Sequence, residues 1–151
     1  MIRKCKMGKK VKIPFPKLVN LYECAIGDNS FIGPFVEIQK GAVIGKRCRI
    51  HSHAFICAGV VIGDDVFIGH GVVFVNDLYP KANDPGWKLK KTSVKQNVSI
   101  GNNATILPVS IGQASLIGAG SVVTRDIPDY SIAAGNPAKV TRKYDGRIKG
   151  R

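Results

Sequence analysis

The sequence has no run near the roughly 20 consecutive apolar residues that a membrane-spanning helix needs. It has no CxxC pair: its four cysteines, Cys5, Cys24, Cys48 and Cys57, stand far apart. The basic opening MIRKCKMGKK is not followed by the apolar core of a signal peptide. These absences argue against a spanning helix, a disulfide framework and an exported precursor. With 151 residues, 44% hydrophobic and 22% charged, the composition is that of one folded domain, not a disordered chain. The expectation is a soluble cytoplasmic protein with reduced thiols.

Acidic residues are also scarce, ten against 23 Lys and Arg, for a net charge of +13. Most of that excess sits at the two ends. Residues 1–12 and 139–151 carry six basic residues each, and the stretch between is close to neutral. Such ends can bind anions nonspecifically or lie beside a phosphorylated cofactor. For residues 1–12 a solvated tail serves equally well.

Within the neutral body lies an internal repeat. Ile26, Ile32, Ile38, Ile44, Ile50, Ile56, Ile62 and Ile68 recur every six residues, and Phe74 continues the series. Four residues after each isoleucine stands a small or compact side chain: Ser30, Val36, Ala42, Cys48, Ala54, Val60, Val66 and Val72. The series resumes at Val94, Ile100 and Ile106, then at Ile111, Ile117 and Val123. A helix cannot carry this pattern, because six is not a multiple of 3.6 and the apolar positions would precess around its axis. Inward positions separated by four and two residues fit the strand period of two. A bend then falls on the middle pair of each hexad, such as Asp28-Asn29 or Asp64-Asp65, where turn-forming residues gather. The pattern predicts an all-β chain of strands that bend every six residues; it resembles the hexapeptide-repeat family, which implies a left-handed parallel β-helix with three hexads to a coil, about five coils in all.

Two breaks interrupt the period. The step from Ile106 to Ile111 is five residues, and the repeat vanishes over 75–93, which predicts an extruded loop. Long loops without repeat character inside a compact domain are usually functional. Residues 1–19 read as an N-terminal cap or entering strand, 20–123 as the β-helix with its loop, and 124–151 as an irregular C-terminal cap with a basic tail. The cluster Cys48, His51, His53 and Cys57 has the look of a zinc site. The repeat frame turns Cys48 inward and the other three outward, so no metal site is expected.

The segments Ile117-Gly118-Ala119-Gly120-Ser121 and Ala134-Gly135-Asn136-Pro137-Ala138-Lys139 resemble the closing segments of hexapeptide-repeat acyltransferases. Within that superfamily Asn20-Leu21-Tyr22, Phe35-Val36-Glu37-Ile38, His53-Ala54-Phe55-Ile56 and Phe74-Val75-Asn76-Asp77-Leu78-Tyr79-Pro80 look like nucleotide-sugar 3-amino N-acetyltransferases of surface polysaccharide and lipopolysaccharide synthesis. The likeness is strongest to enzymes acting on UDP-2-acetamido-3-amino-2,3-dideoxyglucuronate, and enzymes for dTDP-linked amino sugars share much of it. The resemblance implies a homotrimer with acetyl-CoA in grooves between subunits, a nucleotide-linked amino sugar as acceptor, and neither metal, nucleic acid nor membrane as partner.

It also implies roles for particular residues. Asn76 resembles the active-site asparagine, and His51 or His53 would orient the sugar or relay a proton. Lys40, Asp77, Tyr79 and His70 would contact the acceptor. Gly118, Ala119, Asn136, Pro137 and Ala138 would shape the cofactor groove, with Lys139 and Arg142 neutralising phosphate. The family often carries glutamate where Ala58 stands, which weakens the case for a carboxylate base. An eighteen-residue coil places Tyr22, Lys40, Ala58 and Asn76 in one file at the loop's base. Two other readings stay open: the same fold acting on another small amine or hydroxyl, and a noncatalytic β-helix that binds anionic partners through its basic ends.

Overall fold

The fold, taken from a computed structural model, is described for residues 1–144, so the last part of the expected basic tail, 145–151, lies outside the described residues. The hexads become strands of mostly two residues, and the chain winds them into three parallel sheets. Sheet A stacks Ile2–Arg3, Asn20–Tyr22, Glu37–Ile38, Phe55–Ile56, Val73–Phe74, Thr105–Ile106 and Val122–Val123. Sheet B stacks Lys6–Met7, Ala25–Ile26, Val43–Ile44, Val60–Ile62, Thr92–Val94 and Ser110–Ile111. Sheet C stacks Phe31–Ile32, Arg49–Ile50, Phe67–Ile68, Ser99–Ile100, Leu116–Ile117 and Ser131–Gly135, and ends on Ala138–Lys143. The result is a left-handed parallel β-helix of about seven turns, where the hexad count predicted about five. The difference lies at the ends: Ile2–Arg3, Lys6–Met7 and Ser131–Gly135 join the sheets without carrying the hexad.

Every isoleucine from Ile26 to Ile68, and Phe74 after them, is at most 2% exposed, so the inward ladder is continuous. The buried serines are satisfied, as buried polar groups must be. Ser30 donates to the Gly45 carbonyl at 2.9 Å and accepts from the Cys48 N–H at 3.0 Å. One thiol departs from the expected frame. Cys57 is 1% exposed and belongs to the core, although the hexad turned it outward. It follows Ile56 directly, at the corner where the chain bends from sheet A to sheet B, and the bend carries it inside.

Corners between sheets B and C take a left-handed residue in coil after coil: Asn29, Arg47, Asp65 and Asn97 have φ of 59°, 55°, 58° and 59°. Carboxylates brace these corners vertically. Asp28 accepts from the Lys9 N–H at 2.7 Å, and Asp64 from the Lys46 N–H at 2.8 Å. The glycine after each isoleucine answers a different need. A Cβ on Gly45 would lie 2.4 Å from the Gly63 carbonyl oxygen, so stacked corners leave no room for a side chain.

Ladder partners are eighteen residues apart in most coils, as at Glu37↔Phe55 and Ala25↔Val43. The five-residue step shortens one coil to seventeen, at Thr105↔Val122. A second short coil lies near the start, where Asn20 pairs with Glu37 and Leu21 with Ile38. At the loop Val73 pairs with Thr105, which makes the excursion fourteen residues longer than a plain coil. The loop runs over 75–91 and not 75–93, because Thr92 is already inward at 2% exposure and its hydroxyl donates to the Leu107 carbonyl. The C-terminal segment forms an antiparallel hairpin, Ser131–Gly135 against Ala138–Lys143.

Truncating the ladder should be costly. Ile50→Ala is expected to lose about 2–5 kcal/mol in urea denaturation at fixed protein concentration. The outward control Val61→Ala should stay within about 1 kcal/mol.

Candidate functional site

The edge between sheets A and B carries Asn76 and the base of the loop. Asn76 Nδ2 donates to the Ala58 carbonyl at 3.2 Å, and the Lys90 N–H returns to the Asn76 carbonyl at 3.2 Å. The loop's two ends are thus pinned together, with Asn76 at the pin. Polar contacts continue down this edge. The Ala58 N–H donates to Gln39 Oε1 at 3.3 Å, and Gln39 Nε2 donates to Glu37 at 2.9 Å. Glu37 in turn accepts from Asn20 Nδ2 at 3.1 Å. Gln39, Glu37 and Asn20 were missed as site candidates, because Gln39 meets Ala58 diagonally, one residue off the eighteen-residue file, and Asn20 meets Glu37 across a seventeen-residue coil. The same shift corrects one file: Tyr22 comes into register with Gln39, not Lys40. Lys40 instead faces Glu23, Nζ to Oε2 at 3.5 Å. Both partners are solvated, so this ion pair adds little stability.

Within the loop, Asp77 Oδ1 accepts from the Tyr79 N–H at 2.9 Å and holds a local turn. Tyr79 is 81% exposed, and Leu78, Trp87 and Leu89 are exposed with it. The loop therefore presents apolar and aromatic surface that the described residues leave exposed.

The three histidines line the edge between sheets C and A. His51 lies 4.8 Å from both the Phe67 ring and the His70 ring, centroid to centroid. Its Nε2 is buried without a hydrogen-bond partner, an arrangement that disfavours charge. Burial, then His70, then Arg49 hold its pKa below the usual histidine value, so it is neutral at neutral pH. His70 Nδ1 pairs with Ser52 Oγ at 2.7 Å. His53 is exposed, occupies a left-handed corner position at φ 63° and lies over Phe35 at 4.8 Å.

The residues expected to hold the cofactor gather at the C-terminal end of that same edge. Gly118 packs so tightly on Ala134 that an added Cβ would meet the alanine methyl at 2.9 Å. Its glycine is therefore demanded by packing. Ala119 and Gly120 form the exposed turn beside it, and nothing lies within 4 Å of where a Gly120 Cβ would stand. The Gly135 N–H donates to Ser121 Oγ at 3.2 Å, which docks the hairpin tip Asn136-Pro137 next to the turn. Ala138 follows the tip, half-buried, with Lys139 and Arg142 exposed on the returning strand.

The candidate residues thus divide between two edges of one chain. Asn76 and the loop stand at one edge of sheet A, and the histidines and hairpin stand at the other. His70 and Asn76 are six residues apart along an extended segment, a span of up to roughly 20 Å at about 3.3 Å per residue.

Cys57 and Cys48 are poor nucleophiles. Burial pushes Cys57 up to about 11 and also raises Cys48. Among the described residues no three His, Cys, Asp or Glu side chains are grouped as metal ligands would be, and no helix is long and apolar enough to cross a membrane.

Residues 23–58 and 41–76 match the family described as bacterial transferase hexapeptide (six repeats), and 91–125 match the hexapeptide repeat of succinyl-transferase. The bifunctional protein GlmU of Thermotoga petrophila is 28% identical over 156 residues, 92% of this chain and 33% of that protein. The chain therefore spans about a third of the length of such curated relatives. Galactoside acetyltransferase, solved with coenzyme A, matches with a TM-score of 0.67 at 30% identity, over 87% of this chain and 68% of that one. A hexapeptide-repeat acetyltransferase of Vibrio cholerae O1 biovar eltor, solved with acetyl coenzyme A, matches with a TM-score of 0.70 at 27% identity, over 85% and 73% of the two chains. The chain belongs to the hexapeptide-repeat transferase family.

The lowered pKa of His51 has a measurable consequence. A depressed histidine contributes stability above its unfolded value of about 6.5, and that contribution is lost as pH falls through the folded value. An NMR titration should place the His51 midpoint below about 6.5. A His51→Gln variant should lose less stability than the parent as pH drops below that point.

Proposed function

We propose that this chain is an acetyl-CoA-dependent N-acetyltransferase whose acceptor is the amino group of a nucleotide-linked amino sugar. The acceptor of this proposal is a UDP- or dTDP-linked 3-amino sugar, made in the cytoplasm for surface polysaccharide. The observation that carries the reading is the split of the polar machinery between two edges of the chain. A second copy in a homotrimer supplies the missing half, setting Asn76 and the loop of one subunit against the histidine edge of the next. The exposed loop residues Leu78, Tyr79, Trp87 and Leu89 then have a surface to cover. The sequence likeness at Asn76-Asp77-Leu78-Tyr79-Pro80 supports the sugar class, and the coenzyme A bound by the two acetyltransferases above supports the donor.

The chemistry asks little of a base. A sugar amine with a pKa of about 8 is partly neutral at working pH, so orientation is the larger need. Ala58 holds Asn76 by its Nδ2, which leaves the amide oxygen to accept a hydrogen bond from the acceptor amine. Neutral His51, with its unpartnered Nε2, takes the proton released as the amide forms. His53 and His70 position the sugar, with Lys40, Asp77 and Tyr79 at the other edge. The exposed turn at Ala119 and the hairpin Asn136-Pro137-Ala138 fit a pantetheine-bearing nucleotide, with Gly118 letting the two pack together. Lys139 and Arg142 offer charge to its phosphates. His51 then passes that same proton to the departing thiolate, so coenzyme A leaves as free thiol and the imidazole is neutral again.

Release of free thiol from acetyl-CoA, dependent on an amino-sugar nucleotide, is the direct test. Asn76→Ala and His51→Ala should each lower kcat/KM by about 10²-fold. Co-refolded in equal amounts, the two defective chains should recover about one quarter of parental activity, because a quarter of the random interfaces combine two intact edges. Absence of thiol release with every UDP- and dTDP-amino sugar would overturn the acceptor assignment. Absence of recovery on mixing would overturn the shared site.

A further inference from the structure

The inward file along the edge between sheets A and B reads Cys5, Cys24, Ala42, Val60 and Thr92 from the N-terminal end. Its first two members are thiols on adjacent coils. Lys6 pairs with Ala25, so Cys5 and Cys24 are ladder neighbours one residue earlier. Adjacent strands lie about 4.8 Å apart, inside the range of roughly 4.4–6.8 Å that a disulfide's Cα atoms require. The sulfurs are already in contact, with the Cys24 thiol donating to Cys5 Sγ at 3.5 Å.

We infer that Cys5 and Cys24 form a peroxide-reactive thiol pair that closes reversibly into a disulfide tying the first coil to the second. Nothing in the acyl-transfer chemistry above uses either thiol. The two sulfurs differ in access. Cys24 is 3% exposed and covered by the coils on either side, whereas Cys5 belongs to the terminal coil and is only half-buried. A cavity of about 210 Å³ opens beside the pair, lined by Lys4, Lys6, Glu23 and Cys24. Burial, reinforced by Cys5, pushes Cys24 up to about 12, so it remains a protonated thiol until its partner is oxidised.

The reaction runs in two balanced steps. Cys5 attacks one peroxide oxygen, the O–O bond breaks, and Cys5 sulfenic acid and one water result. The Cys24 sulfur then attacks the Cys5 sulfur and expels hydroxide. That hydroxide takes the Cys24 proton and leaves as the second water. Two thiols have lost two electrons and hydrogen peroxide has gained them. A small dithiol reverses the bond by exchange. Cys48 and Cys57 lack such a partner: both are buried, and Cys48 Sγ spends its hydrogen on the Gly63 carbonyl at 3.1 Å.

The test uses the intact protein, a few equivalents of hydrogen peroxide and capping of residual thiols with iodoacetamide. A protease cutting after glutamate separates 1–23 from 24–37, so mass spectrometry reads the link directly. The expected product is those two peptides joined, two hydrogens lighter than their sum, and released by dithiothreitol. In Cys24→Ser, whose substitution is close to isosteric, dimedone should label Cys5 at least about tenfold more than in the parent, because the sulfenic acid then has no resolving partner. If Cys5 survives as free thiol, or oxidises further without the joined peptide appearing, the inference is wrong.

Discussion

Stacking of one inward aliphatic ladder is the constraint on which the rest of this structure depends. A single coil has no hydrophobic core of its own: each isoleucine is buried only because another lies above and below it. Parallel backbone hydrogen bonds between coils then align every corner with the one beneath, and side chains distant in sequence become vertical neighbours. The Asp28 and Asp64 braces, the crowding at Gly45 and the polar run from Asn76 to Asn20 all follow from that alignment.

The candidate site residues lie where the alignment is disturbed. The loop leaves the coil at an edge whose lower residues are hydrogen-bonded in series, so Asn76 is held at its base and not carried on a free loop. The hairpin at the C-terminal end interrupts the winding and sets an exposed turn beside two cations. His51 is another local disturbance, an imidazole packed among rings with one nitrogen left unpaired. Such a group costs stability where it stands, and burial among the rings keeps it in the neutral form.

The hexad made the winding, the core ladder and the approximate place of the loop legible, because period-six burial has few architectural solutions. Legibility failed where one residue was added or removed. A seventeen-residue coil near the start moved Tyr22 off the Lys40 file and kept the Asn20–Glu37 contact from view, while Gln39 meets Ala58 one residue off the file. Cys57 read as outward because a corner residue does not obey strand alternation. Thr92 read as loop because a threonine can fill an inward slot once its hydroxyl finds a carbonyl. At the site, residue type pointed to Gly118 as an opening for a ligand, but its near neighbour Ala134 is a sufficient reason for the glycine.

By itself the sequence determined that this protein is a coil of hexads with an aliphatic interior, since the spacing of branched side chains alone selects strands that turn every six residues. Only the tertiary structure decided which polar groups meet. It put Asn76 and the histidines on opposite edges of one sheet and made ladder neighbours of Cys5 and Cys24. The physical reason is register: burial is insensitive to a shift of one coil against the next by a residue at a corner, whereas contacts between outward side chains depend on it wholly.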